Sequence, residues 1–477
     1  MTFRYLIVAA FALMIITIGI LGLRKTRSFA DYFLGGGTIG PYMTAFTYGA
    51  AYFSAVLFIG FAGKIGWDFG LSGLWIAVGN ALVGVLGVWW LMGYRIKRMS
   101  VDYQVQTMPE YFEKRYRSRG LKLYSSIAIF VFLVPYSAAV FIGLSYLFKV
   151  NFGIDYTAAL IFMGVFTAFY LVLGGYRSMT MIDVIFGIIM AAGSFVLITS
   201  TVGRAGGLDA IIAQLRAVDP RLAAPVGPPG FWPLFSLVFL TSVAPYAMPQ
   251  LVQKFYAIKD RQAIRIGMVA STAFSILIAV TAYFTGATAR LFLSPETAPG
   301  AFQNGRPIFD ALMPEFLTNV IPGSLSVLML LLILSASMST LAALVLISSS
   351  SVAKDLYAGF INRDVSDRGL TTLMRIGSGF FVILSVILAY FKPATIVSIL
   401  SISWGAMGAA FLGPFVWGLV SPRMTKAGAI ISSVGGLGTC LTLYATGTPP
   451  PQAGTIGMLV SLSLNPLVGI LAPNRGV

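Results

Sequence analysis

Ser242-Val-Ala-Pro-Tyr-Ala-Met-Pro-Gln250 sets two prolines in the middle of an apolar run, and Thr47-Tyr-Gly-Ala-Ala-Tyr-Phe-Ser54 sets a glycine and a cluster of small residues in another. Proline removes a rung of the helical hydrogen-bond ladder, so the first run predicts a helix that breaks near Pro245 and Pro249. The two runs open successive groups of five apolar segments. Five is odd, so the second group is inverted relative to the first. Broken first helices in inverted repeats point to a carrier's binding site at the bilayer midplane. Glycine and proline are also simply tolerated in membrane helices, so the matched pair carries the argument rather than either run alone.

Outward from these runs, the whole chain reads as lipid-embedded. Of 477 residues 57% are hydrophobic and only 10% charged, and the mean hydropathy is positive, more than the core of a soluble domain requires. Segments of about 20 apolar residues, the length that crosses the hydrocarbon, fall near 5–23, 40–62, 71–94, 123–147, 157–174, 180–201, 231–252 and 265–288. Five more fall near 325–350, 371–391, 395–420, 427–446 and 453–472. The expectation is an all-α polytopic membrane protein of about thirteen spans. The run from Tyr5 to Leu23 is too long for a signal peptide's apolar region, has no small-residue cleavage site before its basic flank, and reads as a retained first span. The longest polar connections, 202–230 and 289–324, face outward, and Leu208 to Val218 is amphipathic enough to lie on the surface as a short helix.

Assigning each Lys and Arg to alternate sides puts 23 of the 32 basic residues on one side and nine on the other. Arg24, Lys25, Arg27, the cluster from Arg95 to Lys122, Lys254, Arg261 and Arg475 belong to the first group. The positive-inside rule makes that side cytoplasmic, with the N-terminus outside and the C-terminus inside, in a cell's inner (plasma) membrane. The net charge of +16 is thereby explained by topology and anionic lipid, and nucleic acid is not an expected partner. Cys440 is the single cysteine, so no internal disulfide forms, and histidine is absent. No nucleophile, base and orienting residue recur in a catalytic motif, which argues against an enzyme.

The ninth segment carries Leu334-Ser-Ala-Ser-Met-Ser-Thr-Leu341 in an otherwise aliphatic helix. Ser339 and Thr340 offer two hydroxyl oxygens, and Ala336 lies one turn earlier on the same face. A hard monovalent cation takes such oxygens, with the remaining ligands supplied by carbonyls of an unwound helix elsewhere. Hydroxyls in membrane helices also bond back to their own backbone or serve packing.

Asp31-Tyr-Phe-Leu-Gly-Gly36 and the following Gly37, Thr107-Met-Pro-Glu-Tyr-Phe112, Gly174-Gly175 with Asp183, Met338-Ser-Thr340, Lys354-Asp-Leu-Tyr357 and Ser403-Trp-Gly-Ala-Met-Gly-Ala-Ala410 resemble the sodium:solute symporter family in order and spacing. That family includes sodium-coupled proline, pantothenate, sialic-acid and glucose carriers. The resemblance implies a leucine-transporter-type 5+5 inverted repeat, with repeats at 38–202 and 230–421, an extra N-terminal helix in 1–37 and two extra helices in 422–477. It implies Na⁺ as the coupling ion and no organic cofactor. The shared sodium site would use the carbonyls of Ala50, Phe53 and Ala336 and the hydroxyls of Ser339 and Thr340.

Three departures limit the transfer. Tyr52 stands where the proline carriers have an essential Asp. Ala342 and Ala343 stand where members with a second ion site have hydroxyls, so one Na⁺ per cycle is expected. Asp183 is the one carboxylate placed well inside a span, where a charge is costly and functional by default. In relatives the matching Asp lies on the cytoplasmic exit path of Na⁺; the other reading is an interfacial residue near its helix start, favoured by the helix dipole.

The solute pocket is expected between spans 2, 4, 7 and 11, with Ser54, Tyr136, Ser137, Tyr246, Gln250 and Trp404 as candidates. A small-molecule solute and the bilayer are then the partners. Competing expectations are a proton-coupled carrier of the same fold and a transporter-like membrane sensor, which would need an output domain or partner that nothing after Val477 supplies.

Overall fold

The computed structural model describes residues 2–23, 28–323 and 325–471, with the side chains of 2–4, 22–23 and 170–174 excluded. Arg24, Lys25, Arg27 and Arg475 of the charge tally lie outside the described residues. Among those described, the chain is helical apart from a two-stranded hairpin at Phe302–Gln303 and Arg306–Pro307 in an outer loop.

Short polar residues start the helices where the sequence needs new ladders. Asp155, Asp260, Ser366, Thr395 and Thr425 each accept a backbone N–H of the first turn of Tyr156–Arg204, Arg261–Phe292, Asp367–Phe391, Ile396–Val420 and Lys426–Ala445. Each such cap is worth about 1 kcal/mol. Between them the apolar runs set the length.

Nine described helices are long and apolar enough to cross a membrane, ten with the bent pair Phe231–Ala247 and Pro249–Ala257, and Tyr5–Leu21 and Tyr156–Phe169 are shorter apolar helices. The first of the nine, Val56–Asp102, is 47 residues long, twice what a bilayer needs. It folds at Gly70, whose φ of 59° is left-handed. Ahead of the fold, Gly49 lies against Phe274 and Gly66 against Gly286, whereas after it Gly73 lies against Tyr283 and Gly93 against Ile264, so the chain runs in opposite directions along Arg261–Phe292 before and after Gly70 and makes two passes. Gly175, with φ 64° and ψ −179°, divides Tyr156–Arg204 in the same way. The passes therefore number about thirteen, as the apolar runs predict.

Burial separates passes that hydropathy cannot distinguish. In the ninth span, Ser326–Ile361, 94% of the most apolar stretch is buried, and in the eleventh, Ile396–Val420, 89%. The corresponding shares are 33% for Asp367–Phe391 and Lys426–Ala445 and 39% for Pro450–Leu471, which present side chains such as Ile376, Val434 and Leu471 outward. Spans 9 and 11 are the centre, and spans 10, 12 and 13 the lipid-facing rim.

The long polar connections hold more structure than the sequence predicts. Leu208–Val218 is the expected surface helix, but the second loop also folds a helix, Phe309–Val320, with Ala311 to Pro314 buried. Phe29–Leu34 and Met108–Tyr116 are short helices packed at the ends of the spans.

Candidate ion and solute site

Both broken spans break where the sequence places the break. The second span is helical over Pro41–Tyr52, leaves the helix at Phe53 (φ −107°, ψ 100°) and resumes at Val56. The seventh bends by 42° after Ala247, at Met248 (φ −78°, ψ 116°). The two lie side by side and antiparallel: Ile39 N–H donates to the Ala257 carbonyl at 3.0 Å, and the Tyr52 hydroxyl donates to the Thr241 carbonyl at 2.6 Å. A helix that stops mid-membrane leaves its last carbonyls without ladder partners. Ala50 and Phe53 belong to that stretch.

The ninth span supplies the other half. The Thr340 hydroxyl lies 3.1 Å from the Ala50 carbonyl oxygen and 3.0 Å from that of Ala336. One hydroxyl proton thus serves two carbonyls, and the adjacent Ser339 hydroxyl is buried with no hydrogen-bond partner. An oxygen cluster short of protons is what a hard cation satisfies. Ala50, Ala336 and Thr340 therefore converge, Ser339 is the next residue along the same helix, and Phe53 stands at the break itself.

Asp183 is fully buried, eight residues beyond the Gly175 break and past the first turn to which a helix dipole is confined. The helix dipole therefore does little to hold its charge there. Both carboxylate oxygens lack a hydrogen-bond partner; the hydroxyls of Ser339 and Thr47 flank them, and the ammonium of Lys254 faces them. Lys254, tallied above as an inner-loop charge, is fully buried in the short helix after the break, its Nζ 4.9 Å from the centre of the Tyr176 ring. The sequence holds the signal that finds it: Lys254 follows Pro249 by five residues, too few to reach water at 1.5 Å per residue. Asp355 is a second buried carboxylate, at the inner end of span 9, where it accepts the Thr107 hydroxyl at 2.6 Å.

Beside the second span's break a small cavity of about 30 Å³ is lined by Tyr52, Phe53, Ser54, Asn80, Tyr136, Thr241, Tyr283 and Trp404 with aliphatic neighbours. Three of the six solute candidates, Ser54, Tyr136 and Trp404, share it. Ser137 and Gln250 are buried with unpartnered polar atoms but lie outside its lining, and Tyr246 packs against Gly87. Asn80 and Tyr283 were missed because spans 3 and 8 carry no break to draw attention to them, and Thr241 because it precedes the Ser242–Gln250 stretch that marks the break in span 7. No charged side chain lines the cavity. It holds about one or two waters, so a solute enters only when the surrounding helices separate.

A sequence profile of the sodium:solute symporter family matches residues 32–436. The high-affinity proline transporter PutP of Bacillus subtilis is 31% identical, across 89% of this chain and 88% of its own. The sodium/pantothenate symporter of Escherichia coli is 28% identical, across 92% and 89%. Among solved structures, a substrate-bound, outward-open Na⁺-coupled sialic acid symporter superposes with a TM-score of 0.83 over 99% of this chain and 98% of its own, at 16% identity.

Proposed function

Because the chain belongs to the sodium:solute symporter family, and is a multi-pass Na⁺-coupled symporter with the leucine-transporter-type inverted-repeat fold and no enzyme, we propose how this molecule couples its ion to its solute. Na⁺ binds between the Ala50, Phe53 and Ala336 carbonyls and the Ser339 and Thr340 hydroxyls. The observation that carries this is the Thr340 hydroxyl held between the carbonyls of two different spans. A cation there ties the broken second span to the ninth. That favours the form open to the outside and completes the solute pocket.

Solute then closes the outer gate around Ser54, Tyr136 and Trp404, with Ser137, Tyr246 and Gln250 lying close to the path. The repeats, 38–202 and 230–421, rock against each other while 1–37 and 422–477 flank them, and Na⁺ leaves past Asp183 into the cell. Ala342 and Ala343 offer no hydroxyl for a second ion, which supports one Na⁺ per cycle. One charge moving down about 100 mV supplies roughly 2.3 kcal/mol. The charge tally supports a plasma-membrane orientation with the N-terminus outside and the C-terminus in the cytoplasm.

The solute is a small amino acid, carboxylate or similar molecule. The relatives that carry proline and pantothenate support that class, and the uncharged cavity lining leaves a carboxylate to the N-terminal ends of the broken helices. A thermal-stability screen with and without Na⁺ identifies it, since a ligand of the folded state raises its stability by mass action. The site is tested by Ser339→Ala with Thr340→Ala. The double variant loses Na⁺-stimulated uptake in membrane vesicles; uptake equal to the parent's would refute the assignment.

A further inference from the structure

A large groove is remote from this site. It lies between the inner ends of spans 3 and 8, encloses about 700 Å³, and is lined by Trp89, Trp90, Leu91, Tyr94, Ile264, Met268 and Val269 together with four arginines, Arg95, Arg98, Arg261 and Arg265. The apolar wall faces outward: Trp90 is 72% exposed and Val269 67%. All four arginines are exposed at one end of it.

Their charges are almost unopposed. Arg98 pairs with Asp102 at 3.2 Å, and Arg261 stacks on the Tyr94 ring at 4.8 Å. Arg95 turns its guanidinium back to the Leu91 carbonyl of its own helix. The nearby Asp260 is engaged with the Ala263 N–H. Among the described residues no carboxylate pairs with Arg95, Arg261 or Arg265.

We infer that this groove is a binding site for an anionic phospholipid, whose phosphate sits among Arg95, Arg261 and Arg265 and whose acyl chains run along Trp90, Leu91 and Val269. Two features of one surface point to that occupant together. A soluble anion has no use for the exposed apolar wall; a zwitterionic lipid offers the same phosphate oxygens to the paired N–H donors but brings a cationic amine that three unopposed guanidiniums repel, so net negative charge decides between the two. Trp90 and Tyr94 stand at the boundary, where amphipathic rings settle at headgroup level. Basic pockets between membrane helices take anionic headgroups on these grounds. The leaflet, the cytoplasmic one, rests on the orientation proposed above; the site does not.

The test uses purified protein in phosphatidylcholine vesicles doped with either brominated phosphatidylglycerol or brominated phosphatidylcholine, reading quenching of tryptophan fluorescence. Trp90→Phe reports how much of the signal comes from the groove. The parent protein is quenched by the anionic lipid at about a hundredfold lower mole fraction than by the neutral one, from roughly fivefold per arginine. Arg95→Gln with Arg261→Gln and Arg265→Gln abolishes the preference. Arg363→Gln with Arg368→Gln and Lys426→Gln, which removes the same charge elsewhere on that side, keeps it. Equal loss in both triple variants, or a preference that survives in the groove variant, overturns the proposal. Should the groove variant fail to fold, Arg265→Gln alone must still show the fivefold loss. Because no transport is measured, failure here leaves the symport mechanism untouched.

Discussion

Asp183 and Lys254 are the two residues whose meaning changed most between sequence and structure. Each is buried and neither forms a hydrogen bond, so each depends on the other's field. Breaking a buried pair by removing one partner costs about 3–5 kcal/mol, because the survivor is left uncompensated. Asp183→Asn and Lys254→Met are each expected to lose stability on that scale, and Asp183→Asn combined with Lys254→Met is expected to regain most of it. Denaturant or thermal unfolding in detergent reads the difference; a double variant no more stable than its parents would show that the charges do not act on each other. The residue type made Asp183 suspicious in the sequence. Lys254 was hidden because a lysine near a span end is ordinarily a topology marker.

At the scale of elements, the second and eighth spans approach backbone to backbone. A Cβ on Gly286 would stand 2.0 Å from the Ala62 carbonyl oxygen, and one on Gly66 2.0 Å from the Gly286 carbonyl carbon. Rigid helix backbone cannot yield as a side chain does, so Gly286→Ala costs about 3 kcal/mol or more, at or beyond the upper end of overpacking. Gly438→Ala, with nothing near its Cβ, is neutral or stabilising by up to about 1 kcal/mol. Melting temperatures of the two variants measured side by side check the contrast.

The outer helix Phe309–Val320 raises a different question, because Asp310 on it is buried and accepts the Ile396 N–H that opens span 11. Burial lifts its carboxyl to about 6 from the ordinary 3.8, against the opposing pull of that N–H, Lys64 and Lys392. The folded state therefore holds the proton more tightly than the unfolded one. Stability declines as pH rises from about 4 to about 6 and is flat above, by at most about 3 kcal/mol. Asp310→Asn removes this slope from a plot of unfolding temperature against pH; an unchanged slope would assign it to another group.

For the whole molecule, the end of span 9 near Asp355 is tied to the Thr107–Lys122 segment by two contacts between distant parts of the chain, with a local ion pair beside them. Thr107 bonds Asp355 at 2.6 Å, Lys354 meets Glu110 at 3.4 Å, and Lys122 meets Glu113 at 2.6 Å. Asp355→Asn weakens this latch and shifts the population toward the inward-open form. A cysteine at Thr47, in a Cys440→Ser background, is then expected to react faster with a thiol reagent added from the cytoplasmic side; an unchanged rate would mean that the latch does not govern access. The sequence by itself determined where the apolar passes run and where two of them break, because apolar length and helix-breaking residues act locally and leave local marks. It gave the hydroxyls of Ser339 and Thr340 as one half of an ion site, and needed the family resemblance to name the carbonyl half. Tertiary structure alone decided that the carbonyl of Ala50 meets the hydroxyl of Thr340 from 290 residues away, that Lys254 faces Asp183, and that Asn80 of span 3 and Tyr283 of span 8 line the cavity beside the second span's break. Those depend on how helices pack against one another, and packing between segments far apart in the chain leaves no periodicity in either of them.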